Sequence, residues 1–221
     1  MERIDDLIID GLKIYQDDQL YKFTSDSVLL TRFASVKKGD VVADFCSGSG
    51  IVGLHLYALN KQLVKEVCLF EMQKPLYDLS KKSVELNGLT DKFKAFNLRI
   101  QDIDATFNER FSLIVCNPPY MKKGAGETQE KETIAMCRSE LFLPLEDLIR
   151  ACSRCLKFGG RVNLCHRADR LVDLFSLMRK YNLEPKKLQT VSANGKEPYL
   201  VLVEGVKGGK SSLKVLKNII N

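Results

Sequence analysis

The sequence has no apolar run long enough to cross a bilayer. Its longest, such as Leu200 to Val203 and Leu113 to Cys116, are strand-sized and far below the ~20 residues a spanning helix needs. Its opening, Met1-Glu2-Arg3-Ile4-Asp5-Asp6, lacks the basic region and apolar stretch of a secretion signal. These absences predict a cytoplasmic chain. Histidine is scarce, at two residues, and Cys152-x-x-Cys155 has no second pair at metal-ligand spacing, so no metal centre is expected. Internal repeats and low-complexity segments are missing as well, which argues against solenoid or disordered architectures.

What is present is the composition of a soluble globular protein, 45% hydrophobic and 28% charged over 221 residues, enough for one large domain but not for a second catalytic one. The seven cysteines are odd in number, and Cys46, Cys68, Cys116 and Cys165 sit in apolar runs, so they read as buried thiols in a reducing compartment. The net charge of +6 is unevenly spread. Residues 157–187 carry eight Lys or Arg against three acids, and four lysines with no acid follow Glu204. Such a basic C-terminal third suits an anionic partner.

Short β-rich runs alternate with helical periodicity along the chain. Strands are predicted near 40–45, 66–71, 93–98, 111–116, 160–165, 186–192 and 199–204, and helices near 26–35, 50–60, 74–87, 144–157 and 167–181. This is the pattern of an α/β fold, a seven-stranded, mostly parallel sheet with helices on both faces. The connection Ser192-Ala193-Asn194-Gly195-Lys196 has no space for a helix, so the last two strands should form an antiparallel hairpin. The polar stretch 121–138 reads as a long active-site loop.

Asp44-Phe45-Cys46-Ser47-Gly48-Ser49-Gly50 follows the apolar run Val41-Val42-Ala43 and precedes a helical pattern. Small residues at this crossover let backbone approach a nucleotide-like cofactor, with Cys46, Ser47, Gly48 and Gly50 lining it. Gly48-Ser49-Gly50-Ile51-Val52-Gly53 also spells Gly-x-Gly-x-x-Gly, which makes a dinucleotide site the main rival. Asp44 argues against it, because a carboxylate beside the loop suits an amino-bearing ligand better than a pyrophosphate. No Gly-Lys-Ser/Thr follows, so a triphosphate site is not expected. Glu71 ends the second strand roughly twenty residues on, where a carboxylate can accept both ribose hydroxyls. Asp102, with Asp104 as the alternative, can accept from an adenine amino group, and Met72 and Ile103 can flank the ring.

Asn117-Pro118-Pro119-Tyr120 ends the fourth strand and is the most specific motif in the chain. Two prolines remove backbone donors and fix φ, leaving a rigid corner of acceptors. The Asn117 side-chain oxygen and the Pro118 carbonyl can take the two hydrogens of an exocyclic or amide nitrogen. Those bonds strengthen as the nitrogen becomes tetrahedral and positive, which stabilises the transition state selectively. Tyr120 offers a face for stacking on a base, worth ~1–3 kcal/mol in related contacts.

Together these residues resemble the class I methyltransferases, and within them the branch that modifies adenine or glutamine amino groups. The resemblance is nearest to the bacterial tRNA1(Val) adenine-37 N6-methyltransferase family and spans Phe23 to about Leu216. It implies a Rossmann-like fold in a single methyltransferase domain, S-adenosylmethionine as cofactor and an adenine N6 in tRNA as the methyl acceptor. It also implies that residues 1–39 cover the cofactor, with Phe23 and Asp26, from Phe23-Thr24-Ser25-Asp26-Ser27-Val28-Leu29-Leu30, in its pocket. Read from the residues alone, Ser25 or Asp26 is equally a helix N-cap. RNA contacts are implied for the basic tail 205–221 through Lys207 and Lys210, extended by Arg167, Arg170, Lys122 and Lys123. The protein is expected to act as a monomer. One departure is Cys46, where such loops more often carry glycine. Protein-glutamine and DNA-adenine methyltransferases would use the same four residues. The first normally adds an N-terminal helical domain, for which the 39 residues before Asp40 are too few, and the second often adds a target-recognition domain.

Overall fold

The computed structural model describes residues 1–7, 9–20, 24–118 and 142–221. An N-terminal hairpin, β1 (Glu2–Asp6) and β2 (Lys13–Asp17), precedes helix α1 (Ser25–Phe33). Strands β3 (Asp40–Phe45), β4 (Val64–Glu71), β5 (Phe93–Asn97) and β6 (Phe111–Cys116) follow, with α2 (Ile51–Leu59) and α3 (Lys74–Leu86) in the first two crossovers. Beyond 142 come α4 (Leu145–Cys155), β7 (Leu156–Arg167), α5 (Leu171–Lys180), β8 (Leu183–Ser192) and β9 (Pro198–Lys207). Two short strands, β10 (Lys214–Val215) and β11 (Ile219–Ile220), close the order.

The main sheet has nine strands in the order β10-β8-β9-β7-β6-β3-β4-β5, with β11 also on β8. β3 to β7 pair in parallel, whereas β9 runs antiparallel between β7 and β8. All seven predicted strands and the C-terminal hairpin are present in this Rossmann-like α/β sheet. The addition is at the edge, where β10 and β11 pair in parallel with β8 at Lys187–Leu188 and Val191–Ser192. The basic tail is therefore docked on the sheet edge after β9. Its two-residue strands are too short to register as periodicity and form only against β8.

The chain leaves β3 toward β4 and β5, then returns to β6 on its other side. That reversal opens a crevice at the carboxyl ends of β3 and β6, the usual seat of ligands in such sheets. One face buries Val42, Leu69, Leu113, Val115 and Leu202 against Leu30 of α1 and Leu54 of α2. The other buries Phe45, Phe70, Ile114 and Leu164 against Leu148 of α4 and Met178 of α5. Phe70 there meets Phe45 edge-on and stacks on Phe96, with ring centroids 5.3 and 5.1 Å away. Such pairs add ~0.5–1.5 kcal/mol each beyond burial, and they fix β4 immediately before Glu71. Among the described residues no helix is long and apolar enough to cross a membrane.

Candidate functional site

The site is assembled from adjacent strand ends. Register pairs Phe45 with Phe70 and with Cys116, so Cys46, Glu71 and Asn117 emerge side by side. After Phe45 the chain must turn sharply into α2, and it does so with φ of 59° at Cys46, 56° at Gly48 and 92° at Gly50. Cys46 thus adopts the left-handed backbone that glycine favours, at a cost of ~1–2 kcal/mol. The departure from glycine leaves the turn intact.

Asp44 is fully buried, and its Oδ2 accepts the Gly53 N–H at 2.8 Å. Gly50, the N-cap of α2, has no side chain with which to cap, so the strand carboxylate satisfies an orphan donor of the first turn instead. A Cβ on Gly53 would meet Leu69 Cδ2 at 2.6 Å and Asp44 Oδ2 at 3.2 Å. The last glycine of the Gly-x-Gly-x-x-Gly spelling therefore serves close helix-to-sheet packing. Burial pushes the Asp44 carboxyl up to about 8, the Gly53 bond opposing and the nearby Glu71 charge adding to the rise. Its Oδ1, like Ser47 Oγ, is buried without a hydrogen-bond partner among the described residues.

Glu71 braces the same loop. Its Oε2 accepts the Gly48 N–H and its Oε1 the Gln73 N–H, both at 2.8 Å. Burial raises its pKa, against the opposing effect of these backbone donors. A carboxylate offers about four lone-pair sites, and the Met72 N–H engages it as well as those of Gly48 and Gln73, so one site remains for a ligand hydroxyl. Asn97 Nδ2 ties the end of β5 to the Glu71 and Met72 carbonyls at 2.9 and 3.0 Å.

Asp102 lies exposed at the end of the 3-10 turn Ile100–Asp102. Asp104 is engaged locally, accepting from Thr106 N at 2.8 Å, which leaves Asp102 the freer of the two. Ile103 is 2% exposed and belongs to the apolar core, while Met72 is half-buried at the strand end. Asp26 is buried in the first turn of α1.

Asn117 is half-buried with its amide held at both ends. Nδ2 donates to Ser27 Oγ at 3.0 Å, and Oδ1 accepts from Cys165 Sγ at 2.9 Å. Pro118 is buried behind it. Phe23, Pro119, Tyr120, Lys122 and Lys123 lie outside the described residues. Sequence reasoning missed Ser27 and Cys165 as partners of Asn117, and also Gln16, whose Nε2 donates to Ser49 Oγ at 2.7 Å and so joins the N-terminal hairpin to the cofactor loop. Side chains from β2, α1 and β7 are remote in sequence from the motifs they support, and no local pattern announces them.

The basic candidates divide. Lys207 ends β9 at the amino edge of the parallel strands, opposite the site, with its Nζ on the Leu156 carbonyl at 2.8 Å and on Glu109 at 3.1 Å. Sequence shows its charge but not this depth, and these two bonds make it a structural pin between β9, the start of β7 and Glu109. Lys210, Lys214 and Lys217 are exposed and carry no ion pair among the described residues. Arg167 pairs with Asp169 at 2.9 Å and Arg170 with Asp173 at 2.7 Å, at the carboxyl edge near the site. Cys152 and Cys155 are fully buried in α4, where burial raises the first thiol well above its ordinary range and the second to about 11. No group of three or more metal-ligating side chains is placed to hold an ion among the described residues.

A glycine turn, the buried Glu71 carboxylate and the held Asn117 amide thus meet at the switch-point crevice of a Rossmann-like sheet. The family described as methyltransferase small domain matches residues 22–172, and the chain belongs to this family of class I S-adenosylmethionine-dependent methyltransferases. A tRNA1(Val) (adenine(37)-N6)-methyltransferase of Trichodesmium erythraeum is 26% identical over 156 residues, 71% of this chain and 64% of that protein. A release factor glutamine methyltransferase of Clostridium botulinum is 25% identical over 152 residues, 65% of this chain and 52% of that protein. The chain thus spans between about half and two thirds of the length of these relatives. In fold it is similar to the crystal structure of a predicted O-methyltransferase from Agrobacterium tumefaciens, with a TM-score of 0.69 at 18% identity over 88% of this chain and 86% of that one.

Proposed function

We propose that this protein transfers a methyl group from S-adenosylmethionine to N6 of an unpaired adenine in tRNA. The observation that carries the reading is Asn117 immediately after β6, beside the glycine turn, with its amide held in a fixed orientation by buried side chains. The cofactor fits the residues present. Glu71 holds a ribose hydroxyl, Asp102 the adenine amino group, and the buried orphans Asp44 Oδ1 and Ser47 Oγ supply polar partners beside the turn. When bound, it provides an electrophilic methylsulfonium.

The chain's own work is to orient the acceptor. Asn117 Oδ1 and the Pro118 carbonyl accept the two amine hydrogens, and their bonds tighten as positive charge develops on nitrogen. Tyr120 stacks on the base. No strong general base is needed, because the alkylated amine is acidic enough to lose its proton to water. An unpaired anticodon-loop adenine turns into such a pocket at little unstacking cost. Exposed Lys210, Lys214 and Lys217 along the β8 edge, with Arg167 and Arg170 at the carboxyl edge, support an RNA partner met by a monomer in the cytoplasm.

The deciding experiment is transfer of radiolabelled methyl to bulk tRNA, rRNA, DNA and release factors in parallel. Label in tRNA, recovered as N6-methyladenosine, is the expected result. Label in release factors would replace the substrate with a glutamine amide, the specificity named for the Clostridium relative.

A further inference from the structure

The amide of Asn117 has one atom that accepts hydrogen bonds and one that does not, and the two are nearly equal in size. Half a turn about its last bond would present N–H hydrogens to a substrate amine and forfeit an acceptor. Two side chains from separate elements, α1 and the β7 strand it packs against, bear on that choice. Ser27 Oγ on α1 lies 3.0 Å from Nδ2, and Cys165 Sγ on β7 lies 2.9 Å from Oδ1. Ser27 is 2% and Cys165 0% exposed, so water competes for neither. Burial, reinforced by the Asp26 charge, raises the Cys165 thiol well above its ordinary range, and it stays a protonated donor.

We propose that Ser27 and Cys165 are positioning residues that lock the Asn117 amide in the sense that keeps Oδ1 available to the substrate nitrogen. The inference rests on Asn117 being the amine acceptor. Ser27 alone does not decide the sense, because a hydroxyl donates or accepts equally well. Cys165 tips it, because its protonated thiol donates to Oδ1 here and would be only a weak acceptor for an amide N–H in the opposite sense. A thiol also suits the task as a weak donor, since it occupies one lone pair of Oδ1 while drawing little from the other. A hydroxyl in its place would orient the amide equally well but compete more for its electron density.

The test measures single-turnover methyl transfer to the accepted substrate, and S-adenosylmethionine affinity, for Cys165→Ala, Cys165→Ser, Ser27→Ala and the Ser27→Ala/Cys165→Ala pair. Each alanine variant should slow transfer about tenfold, the scale of one lost hydrogen bond, with cofactor affinity unchanged and Cys165→Ser restoring most of the rate. The pair should lose little more than either single variant, because both anchors act through one amide. The same substitutions are then made in an Asn117→Asp background, where both terminal atoms are acceptors and no wrong sense exists. There they should have no effect, and equal losses in both backgrounds would overturn the proposal in favour of general packing. Nuclear Overhauser contacts in the substrate-free protein give a readout independent of turnover. Asn117 amide hydrogens should contact the Ser27 methylene, and contacts to Cys165 instead would overturn the assignment. Full transfer by Asn117→Ala would sink the acceptor reading itself, whereas its loss alongside wild-type rates for the Ser27 and Cys165 variants would sink only the positioning role.

Discussion

Glu71 Oε2 accepts the Gly48 N–H at 2.8 Å, so the carboxylate at the end of β4 shapes the turn that leaves β3. Removing it should act twice, through lost cofactor contacts and through a turn with its donors unsatisfied. Glu71→Ala is expected to weaken S-adenosylmethionine binding about 10- to 100-fold, the scale of one or two bonds to a charged group. Titration calorimetry measures it, and an unchanged affinity would remove the ribose assignment.

Asn117→Ala should separate chemistry from binding. Transfer should fall below detection while calorimetry reports nearly native cofactor affinity, because the lost bonds are those to the substrate amine. Persistent turnover would contradict the assigned role.

Asp44 makes stability pH-dependent in a direction opposite to that of a salt-bridged carboxylate. Its folded pKa of about 8 stands above the ordinary 3.8, so the folded chain holds the proton more tightly than the unfolded one. The contribution is complete below the unfolded value and is lost as pH rises through about 8. The Tm of the cofactor-free protein should fall by several degrees between these limits. Asp44→Asn keeps the acceptor for the Gly53 N–H without an ionisable group, and its Tm should be flatter across that range in scanning calorimetry.

Gly53→Ala forces a methyl group to within 2.6 Å of Leu69. Overpacking of this kind costs about 1–3 kcal/mol, and the displaced α2 should loosen the turn. A lowered denaturation midpoint together with weaker cofactor binding is expected, and native values for both would show that the helix has room to move.

RNA affinity should fall with salt by roughly 0.7 log units per log unit for each neutralised single-strand phosphate. Replacing Lys210, Lys214 and Lys217 together by Ala should reduce that slope by about two. Lys207→Ala should leave the slope alone and lower Tm, since its ammonium serves Glu109 and the Leu156 carbonyl. Filter binding over a salt series separates the two, and a slope of zero for the intact chain would count against RNA altogether.

The seven principal strands were legible because each is a compact β-rich run bounded by turn residues, and Asn194-Gly195 announced the β8–β9 hairpin. β2 was not, since only Ile14 and Gln16 of its five residues point inward, and that is too short a window to distinguish from noise. The motif residues Asp44, Glu71 and Asn117 were found as candidates because strand ends followed by glycine or proline are visible locally. What Asp44 does was not visible, since its bond to the Gly53 N–H depends on how α2 docks on β3. The bonds of Lys207 were hidden for a related reason. Charge is a property of the residue, but depth is a property of the fold.

The strands β10 and β11 also bear on how the folded chain behaves at high concentration. β8 is ten residues long and would otherwise present an unpaired backbone ladder, a template for a second copy. Two short contacts at Lys187–Leu188 and Val191–Ser192 cover it and line the new rim with lysine, which repels another edge. Excising residues 210–221 would leave Asp44, Glu71 and Asn117 in place yet yield a protein prone to edge-to-edge aggregation. A segment that adds little to the core thus shields the sheet edge.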